Sequence, residues 1–427
     1  MPASSQPHEV FFYKESTPGT GQANAAAYVA DEGTDTFRHY VAEKVDPGFI
    51  EEGTIVDPRN VSSHYQTYAS IKGLRSVEGG SMMITAAGSG SAVANGSQID
   101  ETGLMEILRN ALGGLHRSNT TGLTAVTNDT TFELTANTNY AAGQLLAFED
   151  DDDTDNLLHV RQLLTLSGSD GTTQADLPFV LGTSDTVHAL ATLYPDADIL
   201  EDPDNANHLT HTVGIDRNGK VHLVHGCSFD FNAFSWDRSD VAKFGFGIMG
   251  GSISPPGDGG FDSSPAWTGT VQGNAGIVIG CSAELVLQAR GNTTAVYRQP
   301  IEFSFTPGVP RVALPVTTSI NAGMCAIRGH GAGTADTEVQ IRFYSDDEES
   351  SNEFQNAWDN ATEYYATMYL KTTAGKTIAV HCQRLVPSKP PTHSNGDVAT
   401  EITTFWRARE LDSGTAMAKA KFHVGIG

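Results

Sequence analysis

Two-residue alternation around short turns is the feature that most constrains the fold of this chain. The plainest example is Leu209–Ile215 and Lys220–Cys227, which flank Asp216-Arg217-Asn218-Gly219. Asn-Gly supplies the positive φ angles of a type I′ turn, so these segments predict a β-hairpin. A second hairpin is predicted where Cys227–Ser235 returns as Val241–Met249, with phenylalanines alternating along one face. Consecutive hairpins of this kind predict a mainly β, antiparallel chain.

The same alternation recurs on both sides of these hairpins. Upstream it begins at Tyr65–Ile71 and continues at Arg75–Thr85, where Gly79-Gly80 suits a tight turn. Downstream, a Pro-rich loop is predicted at Pro387–Asn395. The downstream strands are predicted at Glu284–Ala289, Ile301–Phe305, Glu338–Tyr344, Tyr364–Leu370, Thr377–Arg384 and Glu401–Ala408.

Two short helices are predicted by apolar residues at helical spacing. The first covers Glu101–Leu112, with Asp100 or Thr102 as its cap and Gly113-Gly114 at its end. Its stripe is Leu104, Ile107, Leu108, Ala111 and Leu112. The second helix is predicted at Asn352–Thr362, with a stripe of Phe354, Ala357, Trp358 and Ala361.

The order of these elements predicts two β domains. Residues 1–60 are interpreted as an extended N-terminal arm, and 61–252 as a first β domain with a polar inserted subdomain at about 115–207. A Pro/Gly linker at 253–275 leads to a second β domain at 276–427. Both domains follow the order strands, helix, hairpin, so we expect two tandem copies of one fold.

Composition limits the classes of function. The net charge is −25, from 26 basic and 51 acidic residues, which argues against a protein that grips nucleic acid. A negatively charged wall would still let DNA slide past, although a solvated surface explains the charge equally well. Four scattered cysteines, the lack of a signal peptide and the lack of an apolar run of about 18 residues predict cytoplasmic synthesis.

Two glycine motifs resemble nucleotide-binding loops, but their context is wrong. Gly245-Phe-Gly-Ile-Met-Gly250 fits G-x-G-x-x-G, yet Ser254-Pro255-Pro256 prevents the helix that must follow. Ala374-Gly375-Lys376-Thr377 resembles the end of a P-loop but is followed by a strand pattern. We therefore interpret the first as a Gly-rich strand and the second as a hairpin turn.

Four histidines and one cysteine suggest a zinc site that strand geometry disfavours. They are His208, His211, His222, His225 and Cys227. With Asn-Gly as the turn, His222 faces Ile215 and His225 faces Thr212. The two histidines on either face then lie about 13 Å apart along the ladder, too far to share one metal ion.

The acidic run Glu149–Asp155 resembles a calcium loop, but positions six and twelve, counted from Asp151, are Asn156 and Gln162 instead of Gly and Glu. A solvated acidic turn is favoured, and a weak, irregular calcium site stays open. Nucleophile and zinc-protease motifs do not occur. The sequence therefore predicts no catalytic, cofactor-binding or metal-binding residues and a protein that is not an enzyme.

Three stretches together resemble the tail tube proteins of long-tailed, siphovirus-like bacteriophages. The first runs from Ser76–Ser81 through Gly88–Gly90 to the helix at Thr102–Gly114. The second is the hairpin region His211–Phe234, with its Gly226-Cys227 strand. The third is Ile378–Val386 followed by Glu401–Ala408.

This resemblance implies an antiparallel β-sandwich or barrel with a flanking short helix. Hairpins from the subunits of a ring would join into an inner barrel, and rings would stack into a tube. Two domains per chain imply three chains with pseudo-sixfold symmetry, whereas one domain implies six. Expected partners are the tape measure, tail terminator and distal tail proteins. DNA would pass without sequence-specific binding, no membrane would be involved, and the protein would reside in the virion tail after assembly in the host cytoplasm.

Two alternatives stay open. A receptor-binding or capsid-decorating virion protein would also be β-rich, and the polar 115–207 region supports it. A β-rich glycan hydrolase ranks below both, because no pair of carboxylates stands out.

Overall fold

Antiparallel strands dominate the computed structural model, so the predicted mainly β class is confirmed. The Asn218-Gly219 turn, the strand signal before Ile71 and the linker beyond Ser254 lie outside the described residues. The described residues are 10–15, 37–40, 42–46, 50–56, 71–202, 205, 207–217, 220–254, 283–292, 295–315, 327–333, 335–345, 348–370, 372–395 and 400–427.

The strands up to the central linker are β1 Val10–Lys14, β2 Phe37–Tyr40, β3 Ala42–Asp46, β4 Ile50–Val56, β5 Ile71–Thr85, β6 Gly113–Arg117, β7 Thr121–Asn128, β8 Thr131–Leu134, β9 Leu145–Glu149, β10 Leu158–Ser167, β11 Asp170–Thr173, β12 Thr186–His188, β13 Ala191–Pro195, β14 His211–Arg217, β15 Lys220–Asp237, β16 Lys243–Gly250 and β17 Ser252–Ser254. The helices among them in the described residues are α1 Gly103–Leu112 and α2 Ala197–Leu200.

The strands after the linker are β18 Ala283–Ala289, β19 Val296–Arg298, β20 Pro300–Thr306, β21 Arg311–Pro315, β22 Ile327–Ala332, β23 Thr337–Tyr344, β24 Tyr364–Leu370, β25 Ile378–Asn395, β26 Thr400–Ala408 and β27 Phe422–Ile426. The helices of this part are α3 Glu348–Asp359 and α4 Ala416–Lys419.

Two strands of 18 residues, β15 and β25, organise the main sheet, because each changes partners along its length. The first half of β15 pairs with β14 and β17, and its second half pairs with β16 and β20. The first half of β25 pairs with β24 and β27, and its second half with β26. The predicted register is confirmed where Ile215 pairs with His222.

Eight strands follow one another by antiparallel pairing in the order β3, β5, β16, β15, β20, β23, β26, β25. We call this row the eight-strand sheet. One of its faces is buried and rich in aromatic residues, as the strict alternation along β16 and β26 requires. The predicted apolar face of Phe229, Phe231, Phe244 and Phe246 is confirmed, since each is at most 2% exposed.

A closed six-stranded barrel lies between β6 and β13, two neighbouring strands of the main sheet. Its strands are β7 to β12, within the predicted 115–207 insertion. Phe132 and Phe148 meet edge to face at 5.3 Å in a separate hydrophobic core. Because β6 and β13 pair directly, the chain leaves the sheet for the barrel and returns to the sheet at neighbouring strands.

Helix α1 covers part of the buried face, and its prediction is confirmed. All five residues of the predicted stripe are at most 1% exposed. Gly113 ends the helix with a φ of 82°, a conformation that glycine adopts without steric cost.

One polar residue of α1 lies inside this core and bonds to two strands. Asn110 Nδ2 lies 2.8 Å from Leu209 O and 3.0 Å from His211 Nδ1, and Asn110 Oδ1 accepts from Phe229 N at 2.8 Å. Leu209 and Phe229 lie just beyond the last pair of β14 with β15, which is His211 with Cys227. The side chain thus satisfies backbone groups at the point where this ladder ends.

The predicted turn at Gly79-Gly80 is wrong, because β5 continues from Ile71 to Thr85. Ile248 pairs with Gly80, whereas Gly250 pairs with Val77, so the strand carries one extra residue there. The glycines thus occupy a β-bulge and not a chain reversal.

The predicted Pro-rich loop at Pro387–Asn395 is also wrong, because these residues continue β25. They pair with β26, with register shifts between Pro387 and Lys389 and between Lys389 and Thr392. Within the described residues this half of β25 has no strand on its other side. A proline can occupy such an edge, because its missing N–H costs no ladder bond there.

The second predicted helix is present as α3, but its stripe is partly wrong. Phe354 and Ala357 are buried, whereas Trp358 is 37% exposed. Ala361 follows the helix with a φ of 50°.

Acidification is expected to destabilise the protein through His423, which is fully buried on β27. Burial lowers its pKa to about 4 in the folded state, against about 6.5 in an unfolded chain. The unfolded state therefore takes up the proton first, and stability falls as the pH falls from about 6.5 to 4. The loss from this group is about 2 kcal/mol by pH 5.

Urea unfolding of His423→Gln at pH 7 and pH 5 should show a smaller drop than the parent. His393→Gln is the matched control, because His393 is exposed on β25 and should leave the drop unchanged. An equal drop in the parent and in His423→Gln would contradict this assignment. Burial raises the pKa of Asp230 to about 6, so this group increases stability as the pH falls. Its contribution is the same in all three proteins and therefore cancels from the comparison.

Candidate assembly interface

An apolar seam joins the strands of the eight-strand sheet that precede residue 255 to those that follow residue 282. Phe234 of β15 lies opposite Phe305 of β20, and Trp236 lies opposite Phe303. All four side chains are at most 2% exposed. The rings of Phe234 and Phe303 lie 6.2 Å apart in an edge-to-face arrangement, which adds specific geometry to the buried area.

The two ends of the eight-strand sheet are strand edges. Within the described residues, β3 pairs with β5 alone, and residues 386–395 of β25 pair with β26 alone. On β25, the exposed positions include Lys389, Thr392, His393 and Ser394. Free edges invite pairing with another chain, and proteins limit this with charged residues, prolines and bulges. All three protective devices occur on β25, which has Lys389, three prolines and two register shifts.

The second face of the eight-strand sheet is open and carries charges of both signs. Arg342 lies between Glu302 and Glu401, at N–O distances of 3.0 and 3.5 Å. The excess of negative charge is therefore not concentrated on this face. Within the described residues its charged side chains include Asp237, Lys243, Glu302, Glu338, Arg342, Lys389, Glu401 and Arg407.

A hairpin from the second part of the chain packs against the first part. After β20, Val309 forms an isolated bridge with Phe231, and β21 and β22 then pair with each other. Arg311, which is 3% exposed, donates its backbone N–H to Asp230 Oδ1 and its guanidinium to Asn110 O in the last turn of α1. Burial lowers the pKa of this guanidinium to about 10, and the Asp230 carboxylate opposes that shift.

The histidines of the suggested zinc site are held separately. His208 Nδ1 lies 3.1 Å from Ile199 O, and His225 Nε2 lies 3.0 Å from Ser254 Oγ. His211 accepts from Asn110, as described above. Burial lowers the pKa of His208 and His225, and it raises the pKa of the Cys227 thiol well above its usual range.

The acidic run 149–155 forms turns at the barrel. Asp150 Oδ1 and Asp153 Oδ1 each accept from a backbone N–H two residues on, at 3.0 Å. Among the described residues, the group able to hold a cation is Asp150, Asp151 and Asp185, whose ligand atoms lie within 4.8 Å of one another. Asp185 already accepts from Gly182 N and Asp151 N, and burial raises its pKa. Sequence reasoning missed Asp185, because it is distant from the acidic run along the chain.

The two glycine motifs lie where the sequence predicts. Gly245, Gly247 and Gly250 are on β16, and the small size of Gly247 and Gly250 admits Asn232 and Val224 close to the backbone. Gly375, with a φ of 84°, lies in the turn that leads to β25.

Comparison of the chain with protein-family models and with curated proteins gave no match. None of the helices in the described part of the chain is long and apolar enough to cross a membrane.

Proposed function

We propose that this chain is a tail tube protein of the kind found in long-tailed phages. It assembles into rings that stack into a tube through which the viral genome passes. The observation that carries the proposal is a series of strand pairings that occurs twice in the chain. We call β1–β5, α1 and β14–β17 the first unit, and β18–β27 with α3 the second unit.

The two units have corresponding pairings. The pairs β1–β14, β14–β15, β15–β16, β16–β5 and β5–β3 of the first unit correspond to β18–β24, β24–β25, β25–β26, β26–β23 and β23–β20 of the second. In both units a helix follows the corresponding strands β5 and β23 along the chain. The corresponding strands β15 and β25 are each the longest strand of their unit. The barrel is the main addition to the first unit.

The irregularities correspond as well. The register shift between His211 and Val213 has its counterpart between Tyr364 and Ala366. The shift between Ala42 and Lys44 has its counterpart between Pro300 and Glu302. Because bulges are specific local features, their agreement supports two tandem copies of one tube-type domain.

The seam within the chain suggests how copies join. It unites the second half of β15 in the first unit with β20 in the second. The corresponding strands that remain as edges are β25 and β3. Pairing β25 of one copy with β3 of the next would repeat the seam and close a ring of six units, hence of three chains.

A ring of this kind would have a wide channel. Three copies of the eight-strand sheet give 24 strands, and strands about 4.8 Å apart at a tilt of about 40° make a barrel roughly 48 Å across between backbones. Duplex DNA is much narrower. The open face would line the channel, and because Arg342 is paired with two carboxylates, it would hold phosphates weakly.

The proposal includes residence in the virion tail after assembly in the host cytoplasm, and contacts with tape measure, tail terminator and distal tail proteins. The barrel would project outward and play no part in closing the ring.

Electron microscopy of the purified protein is expected to show rings or tubes with a central channel. Native mass spectrometry should give a ring with three times the 45.4 kDa mass of the chain. A protein that stays monomeric across concentration, salt and pH would overturn the proposal. A ring of six chains would retain the function and remove the two-unit argument.

The barrel and its acidic turns favour a second candidate, a receptor-binding or capsid-decorating protein. Replacing residues 119–189 with a short turn between β6 and β13 separates the two. If the tube proposal holds, rings still form without the barrel, whereas a binding module would lose its ligand or its attachment.

A further inference from the structure

The hairpin of β4 with the first half of β5 is the counterpart of the β21–β22 hairpin. In the second unit, β20 leads into β21, which pairs with β22 before the chain enters β23. In the first unit, β3 leads into β4, which pairs with Ile71–Glu78 before β5 enters the eight-strand sheet. Within the described residues, β4 has β5 as its strand partner.

The β21–β22 hairpin shows what such a hairpin contacts. It lies on the unit that precedes it, at the last turn of α1 and the middle of β15. Arg311 buries its guanidinium against Asn110 O, and Val309 bridges Phe231. Strand β22 also lies against α2 and β15.

In a ring, the unit that precedes the first unit is the second unit of a neighbouring copy. We infer that the β4–β5 hairpin of one copy docks on its neighbour, at the last turn of α3 and the middle of β25. The occupant is thus a second copy of this chain. This inference rests on the proposed function, because it needs the ring.

The expected docking surface carries exposed apolar area. Trp358 lies in the last turn of α3 and is 37% exposed, whereas Trp236 and Trp406 are each 2% exposed. Asn110, whose carbonyl receives Arg311, also lies in the last turn of its helix. Tryptophans that become buried between chains are frequent anchors of interfaces.

Photo-crosslinking tests the inference directly. Trp358 is replaced by p-benzoylphenylalanine in the full chain, rings are purified and irradiated, and crosslinked peptides are identified by mass spectrometry. We expect crosslinks to residues 50–56 or 71–78 of another copy. The same amino acid at Val180, which is 85% exposed in the barrel region, is the control and should not reach these residues.

A charge at this position provides a second measurement. Trp358→Lys is expected to weaken ring formation about tenfold or more, whereas Val180→Lys should not change it. Since both positions are exposed, unfolding of the monomers in urea should stay the same.

The outcomes separate the inference from the function. Rings with crosslinks to residues 50–56 or 71–78 support the inference. Rings in which Trp358 crosslinks elsewhere, or to nothing, overturn the docking and leave the tail tube intact. Failure to form rings under any condition overturns both.

Discussion

A chain carrying both Ser394→Cys and Asp46→Cys is expected to form disulfides between copies and to give a covalent trimer with no larger species. On a non-reducing gel the product should run at three times the chain mass, and reduction should return it to 45.4 kDa. This result would fix both the strand edges that meet and the number of chains in the ring.

The two positions follow from the register of the internal seam, where Ser235 lies opposite Ser304. On the other side of β15, Ser235 pairs with Lys243 of β16. The corresponding pair of β25 and β26 is Ser394 with Glu401. Ser394 therefore occupies the position in the second unit that Ser235 occupies in the first.

The same comparison locates the partner on β3. Ser304 pairs with Gln340 of β23, and Asp46 pairs with Ser81 of β5. Gln340 and Ser81 lie opposite Phe405 and Gly247, which are corresponding positions of β26 and β16. Asp46 is thus the counterpart of Ser304.

Opposite residues of an antiparallel pair have Cα atoms about 4.5–5.5 Å apart, which a disulfide can span. Ser235→Cys with Ser304→Cys is the matched control, since it should crosslink within one chain and leave a monomer. Thr392→Cys with Asp46→Cys shifts the register and should crosslink poorly. A ladder of bands beyond the trimer would contradict closure at three chains, and an uncrosslinked product from purified rings would contradict the β25–β3 pairing.

Local sequence patterns predicted the two longer helices and every strand of the eight-strand sheet except β3, but none of the barrel strands. The stripe of α1, the phenylalanine alternation of β15 and β16, and the Ile215–His222 register follow from neighbours a few residues apart. Each of these elements has one face that must be buried, and this requirement produces a periodic pattern of apolar residues in the sequence.

The candidate interface could not be predicted in the same way, because it depends on pairings between distant segments. The seam joins Phe234 to Phe305, on opposite sides of the linker, and nothing in either strand specifies the other. Pro387 and the residues after it were predicted as a loop, because proline is a loop signal unless the strand is known to be an edge. Gly79-Gly80 was mistaken for a turn because a bulge and a turn both favour glycine.

The largest single-residue effect on folding is expected for Asn110→Ala. Removal of the amide leaves Leu209 O and Phe229 N without their buried partner. Each unsatisfied buried group costs about 1–3 kcal/mol, so the expected loss of unfolding free energy is about 3–4 kcal/mol in total.

Asn356→Ala on α3 is the matched control, because that side chain is exposed and its replacement should change stability by no more than about 0.5 kcal/mol. Urea unfolding of the monomers followed by tryptophan fluorescence measures both variants. Equal stability of Asn110→Ala and the parent would show that water replaces the amide at this position.

The effect on assembly should follow the effect on stability, because the same residue holds α1 against β15 and offers its carbonyl to Arg311 of the second unit. If Asn110→Ala folds at low temperature, its rings should therefore form more slowly than those of the parent, whereas Asn356→Ala should assemble at the parental rate.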